Sequence, residues 1–403
     1  MTTDKHNKRP NVPPLRFPEF TDEWEQHMTT DFFEFKNGLN PDVKRFGTGI
    51  KFISVMDILN NRYITYDKII SAVEAKDDDL RDFGVNYGDI LFQRSSETLE
   101  DVGRANVYLD EKPALFGGFV IRGKRIGDYN PLFFRYLLSS PSVRKRIIVK
   151  GAGAQHFNIG QDGLSKVSLF VPSAKEQDRI AQLLNAIDKR IEVQSGLIEK
   201  LESLISGITL IISKSDDCEF IRLSEILTER NEVNTAQYEV YSVSVSQGVV
   251  NQVDYLGRSF AAKDTSNYNV VHYGDIVYTK SPTGDFPYGI VKRSGQTDPV
   301  AVSPLYGVYK PASNEIGCFL HYYFCNPVSA KNYLHKLIQK GAKNTINITN
   351  QRFLENTIKV PKAEKLTIVV KLLNQISAKK QHAEELLTYY RKQKRYFLSQ
   401  MFI

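Results

Sequence analysis

The sequence predicts an α+β protein. Two similar mixed α/β domains are separated by two long helices that form an antiparallel coiled coil, and the halves are related by a pseudo-two-fold internal repeat. Three observations predict this. The chain repeats itself. Each copy closes on a long heptad-spaced apolar stretch. The remainder of each copy is made of short apolar runs punctuated by Gly, Asp and Asn.

The repeat is read from short matches in one order. Tyr87-Gly88-Asp89-Ile90-Leu91-Phe92 matches Tyr273-Gly274-Asp275-Ile276-Val277-Tyr278 at an offset of 186. Lys150-Gly151-Ala152 matches Lys340-Gly341-Ala342 at 190, and Asn158-Ile159 matches Asn347-Ile348 at 189. Val171-Pro172 matches Val360-Pro361, again at 189. One such match is chance; four with offsets so close indicate duplication. The unit is far longer than a solenoid repeat of about 20–50 residues.

Runs such as YGDILF, KVSLFV and GDIVY read as strands between turns. One helical stretch is expected inside each copy, from Pro131 to Val149 and from Cys318 to Gln339. A Val-Pro stop follows, and then the long helix.

The long helices give the sharpest periodic signal. Ile180, Leu184, Ile187, Ile191, Gln194, Ile198, Leu201, Ile205, Ile208 and Ile212 step by four and three, the spacing of a coiled-coil seam. Adding 189 gives Val369, Leu373, Ile376, Lys380, Ala383, Leu387, Tyr390, Lys394, Phe397 and Met401. Lys380 and Lys394 break that second seam, and Gly196 and Gly207 weaken the first helix. Each seam needs a partner, and the other copy is the simplest. Packed antiparallel, helices of this length would hold the two domains at opposite ends, roughly 50 Å apart at 1.5 Å per residue. The expected boundaries are a mobile tail at 1–14, a first domain at 15–173, a helix at 174–214, a second domain at 215–361 and a helix at 362–403.

Composition narrows the function. The 403 residues carry a net charge of +7, which favours a polyanionic partner modestly. Most of that excess lies in the last helix. Three Cys, with no CxxC pair, indicate neither a disulfide framework nor a zinc site. A reducing, cytoplasmic setting fits. No apolar run approaches the roughly 18 residues of a membrane span, and the polar, Pro-containing start is not expected to be a signal peptide.

No catalytic, metal or cofactor motif is legible. Gly151-x-Gly153 lacks the third glycine of a dinucleotide loop, and its repeat partner lacks the second. Asn130-Pro131-Leu132-Phe133 departs from an adenine-methyltransferase NPPF motif at Leu132. The histidines do not fall at metal-ligand spacing, and there is no P-loop. Asp89 and Asp275 are read as residues that begin or cap strands.

With the layout in place, the chain resembles the specificity subunits of type I restriction-modification systems. The opening LRFPEFTDEW and the helix start VPSAKEQDRIAQLLNAID carry the resemblance, together with the duplicated plan of domain, Val-Pro exit and long helix. The resemblance implies two target recognition domains, each binding one half of a split, asymmetric site in double-stranded DNA. It implies a helical pair that sets the spacer. It further implies docking of two adenine methyltransferase subunits and, through them, restriction subunits. The chain itself would be non-catalytic, with no cofactor, small-molecule substrate or membrane partner. One departure stands out: Glu176-Gln177 at the first helix start corresponds to Lys365-Leu366 at the second.

Base readout draws on Arg, Lys, Asn and Gln, and phosphate contact on Lys, Arg and backbone amides. Such residues follow the shared strands. Arg94 and Ser95 come after YGDILF, and Lys280 and Ser281 after YGDIVY. Lys150 and Gln155 belong to a second cluster, matched by Lys340, Lys343 and Asn344. The copies agree on scaffold and diverge in these loops. Two rival functions remain at this stage: a scaffold joining proteins without reading DNA, and a stand-alone DNA-modifying enzyme.

Overall fold

The computed structural model describes residues 11–153, 155–258, 261–340 and 346–403. The chain forms two compact units, Met1–Gln194 with Leu386–Ile403, and Ser195–Glu385. Each long helix is divided between them.

The first unit is built on a four-stranded antiparallel sheet. Its order is Phe33–Asn37, Val120–Arg125, Ile90–Gln93, Ala105–Val107. The central Ile90–Gln93 strand is buried throughout, so its run of apolar residues serves both faces. A second pairing, Glu25–Met28 with Ser168–Val171, leads to the Val171-Pro172 stop. Proline cannot extend the ladder, and the first long helix, Ala174–Lys214, begins just beyond it. The core gathers Trp24, Phe33, Phe92, Phe133, Phe134, Ile180, Leu184 and Phe402. It therefore includes the start of one long helix and the end of the chain.

The second unit repeats this plan. Its four-stranded sheet runs Leu227–Glu229, Gly307–Pro311, Ile276–Thr279, Ile290–Arg293. Cys218–Arg222 pairs with Thr357–Pro361 ahead of the second long helix, Ala363–Gln400. Its core holds Tyr278, Tyr309, Phe319, Phe324, Phe353, Leu366 and Val370. The duplication read from sequence is thus a duplication of sheet order and strand direction.

The long helices pair antiparallel within each unit. In the first, Lys394 Nζ lies 2.6 Å from Asp188 Oδ1, and the Arg190 guanidinium sits 5.7 Å from the Tyr390 ring centre. In the second, Lys380 Nζ lies 2.8 Å from Glu202 Oε1. Ile180, Leu184, Ile187, Leu373, Ile376, Ala383 and Leu387 are buried; Ile191, Ile198, Leu201, Val369 and Tyr390 are half-buried.

Two expectations are corrected. Each internal helix is broken in two: Pro131–Ser139 and Pro141–Ile148, then Asn314–Cys325 and Pro327–His335. The cause is Ser140-Pro141 and Asn326-Pro327. The residue before a proline is pushed out of the helical region, and proline suits the first turn of a new helix. Ser140 and Asn326 cap those new helices, accepting from Val143 N at 3.4 Å and Ser329 N at 3.0 Å. The second pair also begins earlier than Cys318, because Ser313 caps it by accepting from Ile316 N at 3.2 Å. Of the segment expected to be a tail, residues 11–14 are docked: Asn11 O accepts from Trp24 N at 2.8 Å, and Pro13 is buried. Residues 1–10 of that segment lie outside the described residues.

Candidate nucleic-acid interface

The sheet places the candidate residues at one strand end in each unit. The turn at the other end is closed by an aspartate. Asp89 accepts from Asn86 N at 3.0 Å and Arg125 N at 2.8 Å. Burial pushes its carboxyl above the usual range, opposed by those hydrogen bonds. Asp275 accepts from His272 N at 2.8 Å and from the Arg230 guanidinium at 2.7 and 3.0 Å. Both carboxylates hold the turn that starts the strand.

Past the far end of Ile90–Gln93 stands Arg94. Its backbone N donates to Phe119 O at 2.9 Å, its guanidinium to Gly118 O at 3.3 Å, and its carbonyl accepts from Ile159 N at 3.0 Å. Ser95–Ser96 pairs with Phe157–Asn158, and the Ser95 hydroxyl donates to Asn158 Oδ1. Ala152 and Asn158 exchange backbone bonds of 2.9 and 2.8 Å. The loop they close carries exposed Gln155, and exposed Lys150 stands two residues ahead of it. The fold thereby joins two segments that the sequence offered as separate clusters. Gly153, at φ 143, lets this loop turn; a Cβ there would meet His156 O at 2.0 Å.

In the second unit Lys280 is half-buried, and burial pulls its ammonium below the ordinary lysine value, with Glu229 opposing. Glu229 also accepts from Asn350 Nδ2 at 2.8 Å. Glu229 thus bonds the Asn350 helix start and acts on Lys280 through its charge alone. Ser281 is exposed. Lys340 pairs through its backbone with Ile346. Lys343 and Asn344 lie outside the described residues. Sequence reasoning passed over Phe119, Asn158 and Glu229. Asn158 was detectable, as one of the repeat matches.

The helix starts differ in what they touch. Glu176 is buried and takes both Arg16 bonds, at 2.8 and 2.7 Å, and one from Trp24 Nε1 at 3.3 Å. Gln177 accepts from Asn130 N at 3.0 Å. At the second start, exposed Lys365 pairs with Asp217, and Leu366 enters the core. Among the described residues no helix is long and apolar enough to cross a membrane, and no group of three His, Cys, Asp or Glu could hold a metal ion.

Comparison with known proteins bears on these units. Residues 21–203 match the family described as type I restriction modification DNA specificity domain. The chain is 28% identical over 182 residues to the EcoKI specificity subunit of Escherichia coli K12, covering 43% of this chain and 39% of that protein. It is 24% identical over 207 residues to a putative type I restriction enzyme MjaX specificity subunit of Methanocaldococcus jannaschii, covering 50% of this chain and 48% of that protein. The chain is thus similar, over its first half, to type I restriction-modification specificity subunits. The matches span about half, or less, of the length of those curated relatives. The crystal structure of a type I restriction-modification S subunit from M. genitalium shares the fold, with a TM-score of 0.60 at 15% identity over 97% of this chain and 99% of that one. The duplicated sheet, with loops at one strand end that differ between the copies, is the frame the two units share.

Proposed function

We propose that the chain is the sequence-reading, non-catalytic subunit of a type I restriction-modification complex. Residues 15–173 and 215–361 each bind one half of a bipartite, asymmetric DNA site. The paired helices, 174–214 and 362–403, set the spacer and dock two adenine methyltransferase subunits, through which restriction subunits join. The chemistry belongs to those partners.

One observation carries this reading. The same four-stranded sheet occurs twice and, at the same strand end, presents a basic residue beside loops that differ between the copies. A shared scaffold with different loops is what two readers of different half-sites require. Phosphate contacts would come from Arg94, Lys150, Lys280, Lys340 and Lys343. Ser95, Gln155, Ser281 and Asn344 would face base edges or sugar.

Selection of bound sites from random duplexes, with the methyltransferase subunits present, tests it. The expected outcome is a two-part motif with a fixed, unspecific gap. A bound pool with no sequence preference overturns it. Removing charge together at Arg94, Lys150, Lys280 and Lys343 should weaken binding for all sequences and flatten its salt dependence.

A further inference from the structure

Two turns, one in each unit, repeat a feature invisible in the short sequence matches. The first unit turns at Gly117–Val120, closed by Val120 N donating to Gly117 O at 2.9 Å. The second turns at Ser303–Tyr306, closed by Tyr306 N donating to Ser303 O at 3.0 Å. Sheet register makes them equivalent, since Ile121 faces Phe92 and Gly307 faces Tyr278. Phe119 and Leu305 are therefore the same position, the third residue of each turn. Phe119 is 69% exposed and Leu305 72% exposed.

The third position of a turn suits Gly, Asn or Asp, not a large apolar side chain. Isolated exposed apolar residues are ordinary. Recurrence at one position of both copies is not explained by folding. Each turn is also firmly seated. Val120 is buried, and Tyr306 packs against an apolar cluster. A Cβ on Gly118 would fall 2.0 Å from Asn40 Oδ1, so the first turn is backed closely. Next to each tip stands a basic residue. Arg94 donates to Phe119 O at 2.9 Å and to Gly118 O at 3.3 Å. Lys280 holds the matching place beyond Thr279.

We propose that Phe119 and Leu305 are the apolar base contacts of the two recognition domains, each pressed on a base while the adjacent cation holds the phosphate backbone. This rests on the DNA-reading function proposed above. A duplex offers apolar base surface in two forms: the thymine methyl in the major groove, and the face of a base at an opened step. Phe and Leu fit both, and a small hydroxyl side chain fits neither. Their different shapes add to the difference between half-sites.

The test uses the full chain with its methyltransferase subunits, on a duplex carrying both selected half-sites. Phe119→Ser and Leu305→Ser should each weaken binding about tenfold, with the salt slope unchanged because no phosphate contact is lost. Each loss should disappear on duplexes scrambled in that variant's own half-site. Phe119→Leu should keep most of the affinity. Thymine-to-uracil replacement that weakens wild type but not Phe119→Ser identifies the methyl as the contact. 2-Aminopurine fluorescence that rises with wild type but not with Phe119→Ser identifies an opened step. Wild-type affinity in both serine variants overturns the proposal while leaving DNA reading in place. A wild-type complex that binds no duplex overturns both.

Discussion

Lysine is the wrong residue for a coiled-coil seam by pattern, yet Lys394 and Lys380 occupy seam positions. The structure supplies their partners. Lys394 reaches Asp188, which is 5% exposed and also accepts from Tyr136 Oη at 2.8 Å and Arg135 Nη1 at 3.4 Å. Removing the anion takes the carboxylate from two half-buried cations, so Asp188→Ala should cost about 3 kcal/mol. Lys394→Met should cost less, because Arg135 and Tyr136 still serve the carboxylate. Trp24 is the sole tryptophan and lies in the core of the first unit. Its fluorescence during urea unfolding reports both variants, and an unchanged midpoint for Asp188→Ala would refute the account. A half-buried thiol makes a pH prediction. Burial raises the Cys325 thiol, but His321 and Lys292, whose Nζ is 3.2 Å from Sγ, outweigh it and bring it from 9.0 to about 6. The folded value lies below the unfolded one. The thiolate therefore stabilises fully above pH 9 and loses that contribution as pH falls to about 6. The gap in thermal midpoint between wild type and Cys325→Ser should shrink across that window.

At the scale of elements, what was legible followed periodicity, and what was missed followed local chemistry. The strands around Ile90 and Ile276 and both long helices could be read, because apolar spacing over many residues marks them. The breaks at Pro141 and Pro327 were present as dipeptides, but the apolar pattern ran across them and masked two helices as one. The joining of Ser95 with Asn158 depends on a pairing between distant segments that no local spacing encodes. The exposed tips at Phe119 and Leu305 share a register but no matching residues, so only the sheet reveals them. The glycines of the first long helix allow an element-scale prediction. A Cβ at Gly196 or Gly207 would meet nothing within 4 Å. Alanine there should stabilise the chain by up to about 1 kcal/mol per site. Thermal unfolding followed by circular dichroism measures it, and a destabilised variant would show that the space is used.

For the whole molecule, the decisive question is whether the paired helices set the distance between half-sites. Inserting four residues into the first helix alone, near Gln194, would separate the Asp188–Lys394 and Glu202–Lys380 pairs from a common register, since Gln194 lies between them in sequence. Insertions matched in both helices avoid this. Seven residues at Gln194 and seven at Leu387 keep both seams in phase, because the heptad is their repeat. They add about 10 Å at 1.5 Å per residue, close to three base pairs at 3.4 Å each. On the proposed function the selected motif should keep both half-sites and gain about that many unspecific base pairs in its gap. If the half-sites change instead, the domains do not read alone, and sequence recognition has to be shared with the helices.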